Sequence, residues 1–194
     1  MSDSILQVNQ IKDKGGNATG ITVADTTANV TVGNLTATSL AGGTISSAVN
    51  FPAGHVIQVQ TGTYATEGST SSTGFQTTGI SATITPRATS STIFIIINTS
   101  GYNNGGTDHV SYYTIYRNST DLGAGSTMGF ANIYQGSGSG HDLGSNICIS
   151  EVDSPSTTSA VTYTLRVRSS STSHSAYWSM NNSKSDITVM EISG

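Results

Sequence analysis

Val161-Thr162-Tyr163-Thr164-Leu165-Arg166-Val167-Arg168 is the stretch on which the fold turns. Every second residue is apolar or aromatic, and every residue between is Thr or Arg. A period of two puts Val161, Tyr163, Leu165 and Val167 on one side of a strand and the polar set on the other. A helix would scatter both sets around its circumference. The stretch is therefore a strand with one face buried and one face wet.

The same reading extends outward in both directions. Downstream, His174 to Met180 and Ile187 to Ile192 read as the last two strands. Upstream, Ser145 to Val152 carries Ile147 and Ile149, and Met128 to Tyr134 and Val110 to Arg117 are further strands. Ile93-Phe94-Ile95-Ile96-Ile97 is apolar without a break, which predicts a strand buried on both faces. Ile80, Ala82 and Ile84 alternate with Ser81, Thr83 and Thr85 and stop at Pro86, and His55 to Gln60 opens the series. Roughly eight to ten strands at this spacing describe a sandwich or jelly roll. The stretches 101–106, 136–140 and 169–173, rich in Gly, Asn and Ser, read as loops. No segment keeps a helical period for three turns. The fold class is all-β, a jelly-roll-like β-sandwich knob over 51–194.

Residues 1–50 read differently. Short pieces carry one or two apolar positions each: Ile5, Leu6, Val8 and Ile11, then Val30, Val32 and Leu35. None buries its apolar side alone. The expectation is an extended N-terminal arm of short β segments whose apolar residues anchor it on another surface, of an identical chain or a different protein.

Composition narrows the function. Lys, Arg, Asp and Glu make 9% of the 194 residues, against about 25% in ordinary soluble domains. Seven basic residues face eleven acidic ones, for a net charge of −4, which argues against nucleic acid as a partner. A β domain so poor in charge is weakly defended against edge-to-edge association, a hint of closed assembly. No apolar run reaches the length that inserts in a membrane, and Met1-Ser2-Asp3-Ser4 opens no signal peptide. The single cysteine, Cys148, excludes an internal disulfide and reads as a small buried hydrophobe between Ile147 and Ile149.

No catalytic residue, metal site or cofactor is expected. Asp108-His109 and His141-Asp142 are adjacent pairs in Gly-rich surroundings and read as solvated loop residues, without the ligand spacing of a zinc site. Glu151 and Asp153 share one face of a strand end and read as a charged terminus entering the turn at Ser154-Pro155. Aromatics carry the remaining chemistry. Tyr112, Tyr113, Tyr116 and Tyr163 are expected in the core or a subunit interface. Tyr102, Tyr134, Tyr177 and Trp178, with His141, are the candidates for touching a ligand. On a strand Tyr177 and Trp178 face opposite sides, so one is buried and one exposed.

Phe51-Pro52-Ala53-Gly54-His55-Val56-Ile57-Gln58-Val59 resembles the entry segment of tail-fibre-like and other virion structural proteins of bacteriophages, of cyanophage or marine phage type. Ser154 to Tyr163, Ile187 to Ile192 and the opening Leu6 to Asp13 are similar to such proteins as well. The resemblance implies a virion-surface protein, made in the host cytoplasm, with a β-sandwich knob in a homotrimer. Its partners would be its own copies, other virion proteins of tail or capsid, and a host-surface glycan. Two roles follow: a short tail fibre or spike that attaches to the glycan, or a head decoration (cement) protein whose arm docks on capsid subunits. The chain is expected not to be an enzyme.

Overall fold

The computed structural model describes residues 51–104, 108–124, 126–136 and 142–194. They belong to the unit Ala48–Gly194. The arm, with Ile5, Leu6, Val8, Ile11, Val30, Val32 and Leu35, lies outside the described residues, as does His141.

The strands run in chain order as β1 (Val56–Tyr64), β2 (Gly68–Thr70), β3 (Gln76–Ile84), β4 (Thr92–Asn103), β5 (His109–Arg117) and β6 (Thr120–Asp121). They continue as β7 (Ala131–Gln135), β8 (Leu143–Asp153), β9 (Val161–Ser169), β10 (Ala176–Trp178) and β11 (Ser185–Ile192), with a 3-10 turn at Met180–Asn182. Two antiparallel sheets result. In the first, β8 pairs along one edge of β4, so β10 and β11, which also pair with β4, must share its other edge. Beyond them lie β2 and β1 respectively. In the second, β3 pairs with β9 and β9 with β5, while β6 and β7 share the far edge of β5.

Each sheet therefore has four lanes. Numbered along the chain, they fall in the orders 1-8-3-6 and 2-7-4-5. That is the double-sheet jelly roll of two interlocked Greek keys. The alternation of Val161 to Arg168 holds throughout: Val161, Tyr163, Leu165 and Val167 are buried and their neighbours half-buried. Facing them across the core are Ile93, Ile95, Ile97, Ile187 and Val189. Each such side chain contributes about 1.5–3 kcal/mol through its removal from water.

Polar ties close the two ends of the sandwich. At one end Glu191 is fully buried, and its carboxylate accepts from Gln58 Nε2 at 2.6 Å, Ser91 Oγ at 2.7 Å and the Arg87 amide at 2.7 Å. Burial works against its charge, but the three donors outweigh it and hold the carboxyl below its ordinary range. At the other end a buried polar group replaces the apolar core. Asn103 Nδ2 donates to the Ile133 carbonyl at 2.8 Å, and the Ser111 hydroxyl donates to Asn103 Oδ1. His109 is 1% exposed, with its ring 4.9 Å from that of His174.

Several expectations are corrected. Ile93 to Ile97 is not buried on both faces: Phe94 and Ile96 are only half-buried, because nothing among the described residues covers the outer side of β4. Residues 101–103 extend β4 rather than forming a loop, since β8 and β10 both pair with them. Cys148 points outward and is exposed, because Ile147 and Ile149 take the two inward positions. His109 is no solvated loop residue; it alternates inward with Ser111 and Tyr113 at the start of β5. Of the four tyrosines expected in the core or a subunit interface, Tyr113 and Tyr163 are in the core, and Tyr112 and Tyr116 lie on the outer face of β5.

Candidate functional site

Tyr102 and Tyr177 occupy directly opposed positions on β4 and β10. Both point outward, and their rings stack with centroids 4.1 Å apart and planes 22° from parallel. Beneath the pair, Gly101 leaves room for the Tyr113 hydroxyl, which donates to the Tyr177 carbonyl at 2.8 Å on the inner side. On the outer side, Asn104 Nδ2 donates to the Tyr177 hydroxyl at 3.3 Å. Both tyrosines are half-buried. The next neighbours across the sheet are small: Ser69 beyond Tyr177 and Gly144 beyond Tyr102. The Met180 thioether bounds the space over Gly144.

Electrostatics sharpen the pair. The Tyr102 hydroxyl is pushed up to about 12, first by burial, then by its hydrogen bond with Tyr177, with Glu67 and Asp142 adding repulsion. The Tyr102 phenol therefore stays neutral in the physiological range.

A step along the same face, a recess of about 240 Å³ is lined by Asn98, Ser100, Asn146, Cys148, Ser183 and Lys184. The Asn98 amide donates to Asp186 Oδ1 at 3.1 Å, which fixes its orientation. An aromatic pair beside amide, hydroxyl and ammonium groups is a small apolar surface bordered by fixed polar contacts. Such a surface suits a ring with an apolar face and hydroxyls at its rim.

Of the residues singled out by sequence, the structure brings Tyr102 and Tyr177 together. Tyr134 stands apart, 57% exposed, donating to Asp108 at 3.0 Å. It lines a second recess of about 280 Å³ between β7 and the start of β8, with Asn132, Leu143, Gly144 and Ser145. Trp178 is a correction: it is 7% exposed, and its indole N–H donates to the Thr78 carbonyl at 3.1 Å inside the sandwich. It cannot touch a surface ligand. Asn98, Asn146 and Lys184 were missed, because isolated Asn and Lys in a Ser/Thr-rich chain carry no spacing signal. Glu151 and Asp153 do not form an acid pair; Asp153 is engaged by Arg117 and Tyr163. Among the described residues no three His, Cys, Asp or Glu side chains cluster as a metal site. No helix there is long and apolar enough to cross a membrane.

No family model matches the chain, and no curated protein matches it. Similar solved structures include the D431N mutant VP2 protein of infectious bursal disease virus in derived T=1 particles. That likeness has 12% identity and a TM-score of 0.35 over 70% of this chain and 36% of that one. The structure of infectious bursal disease virus Gt strain gives 13% identity and a TM-score of 0.34, over 72% and 39%. The chain thus spans little more than a third of the length of either.

Proposed function

We propose that this chain is a virion surface protein of a bacteriophage, a short tail fibre or spike, whose knob attaches to a host-surface glycan. The observation that carries the attachment is the Tyr102–Tyr177 stack beside the Asn98–Asn146–Lys184 recess. The virion assignment is supported by the phrases of the Phe51 to Val59 segment and of Ile187 to Ile192, which resemble phage structural proteins. In a homotrimer three weak sites act together, so that binding rises through effective concentration without a new contact. The test is an array of bacterial glycans probed with the full chain and with Tyr102→Ala and Tyr177→Ala. Specific spots that fade about tenfold or more in both variants support the reading. Spots unchanged by both, or none at all, overturn it.

A second reading, a head decoration protein, is favoured by one further observation. Val59, Met190, Phe94 and Val152 stand opposite one another across all four lanes of the first sheet, on its outer side. Val59 and Val152 are exposed. A row of four apolar side chains suits a contact between subunits. On this reading, virions lacking the protein adsorb normally but lose heat resistance.

A further inference from the structure

The second sheet presents a different surface on its outer side. β9 places Thr162, Thr164, Arg166 and Arg168 there in one row. The Arg166 guanidinium lies 4.0 Å from the centroid of Tyr116, and that of Arg168 lies 3.9 Å from Tyr112 and 5.2 Å from Phe75. Three aromatic rings thus form a floor under two guanidinium groups.

Stacking occupies the faces of a guanidinium but not its N–H edges. Each carries five donors in a rigid plane, and those edges need acceptors. Among the described residues the one ion pair joins Arg117 to Asp153, so neither Arg166 nor Arg168 meets a carboxylate. Arg168 gives one N–H to the Thr127 carbonyl. Arg166 Nε is sealed from water without an acceptor, which leaves the outward Nη edge as its working side. Asp121, whose charge bears on Tyr116, is already engaged: its Oδ1 accepts from Thr114 Oγ1 at 2.7 Å and from the Gly123 amide at 2.9 Å.

We propose that this face binds the carboxylate groups of an acidic polysaccharide, with Arg166 as the bidentate fork and Arg168 as its neighbour. A planar guanidinium held flat matches a planar carboxylate with two parallel hydrogen bonds. The two arginines sit two residues apart on one strand, roughly 6.5–7 Å, a spacing at which an extended chain can offer repeated acids. The Thr83 and Thr162 hydroxyls, 2.8 Å apart, extend the polar row beyond them. Nucleic acid and anionic bilayers are poorer fits. Both are held by clusters of basic residues, whereas this row offers two arginines in a chain with seven bases against eleven acids in all. The site lies on the opposite sheet from Tyr102 and Tyr177, so it stands or falls independently of them.

The experiment is titration of the full chain with polygalacturonate at low ionic strength, beside neutral dextran and phosphatidylglycerol vesicles. The expected result is binding to polygalacturonate alone, weakened about tenfold by Arg166→Gln. Arg166→Lys keeps the charge over Tyr116 but loses the fork, and is expected to weaken binding with the melting temperature retained. It decides the matter should Arg166→Gln prove unstable. Polygalacturonate binding that is absent, or equal in the Arg166→Lys and Arg168→Lys proteins, overturns the proposal. Vesicle binding as strong as polygalacturonate binding, lost in the same variants, replaces it with a membrane.

Discussion

Arg117 Nη1 grips both carboxylate oxygens of Asp153, at 2.8 and 2.9 Å, joining β5 of one sheet to β8 of the other. The Tyr163 hydroxyl donates to the same carboxylate at 2.7 Å. Three strands from two sheets converge on one side chain. Asp153→Ala strands a half-buried guanidinium and an inner tyrosine hydroxyl together. We expect a loss of about 2–4 kcal/mol in urea unfolding. Tyr163→Phe, which removes one donor, should cost about 1 kcal/mol.

Trp178 is the only tryptophan. Buried under β3, it should emit at short wavelength in the native protein and shift red on unfolding. Trp178→Ala should cost about 3–5 kcal/mol, so any loss of ligand binding in that variant would report unfolding. Near-ultraviolet circular dichroism distinguishes the two.

Acid should weaken the fold in an early step set by His109. Burial lowers its imidazole below the ordinary 6.5, and His174 pushes the same way. As pH falls past 6.5 the unfolded chain takes up this proton while the folded one does not. The unfolded state then binds more protons, and stability falls with pH. The His109 contribution is complete above 6.5 and is lost toward the lower folded value. Glu191 acts likewise in a more acidic window, below its ordinary 4.5. Urea midpoints measured between pH 8 and pH 5 should decline in the parent protein. The decline should be shallower in His109→Gln, whatever that variant's stability at pH 8.

Gly101 lies on the inner side of the sheet beneath the tyrosine stack. A Cβ there would overlap the Tyr113 hydroxyl and displace it from the Tyr177 carbonyl. Gly101→Ala should cost about 1–3 kcal/mol and should also weaken glycan binding, read on the same array. Full binding in a folded Gly101→Ala protein would separate the stack from recognition.

Much of the fold was legible because alternation survives wherever one face is buried. Val161 to Arg168 announced both its inner and its outer row. One group of failures has a single cause. His109, Ser111 and Asn103 occupy inward positions with polar side chains, so the period of two continues but its apolar signal stops. Tyr177 and Trp178 were known to face opposite ways, but only the pairing of β10 with β4 decides which is inside. The arginine row was visible as polar, but its aromatic floor comes from β5 and the start of β3, far away in sequence.

The contact between Gln58 and Glu191 bridges 133 positions of the chain. The first strand of the sandwich has the last as its hydrogen-bonded neighbour, so its inner edge stays open until β11 has left the ribosome. Closing so long a loop is slow in entropic terms. An unpaired β1 with exposed Val56 and Val59 is meanwhile open to the β1 of another nascent chain. Yield of assembled protein should therefore depend on translation rate and temperature as much as on the stability of the finished sandwich.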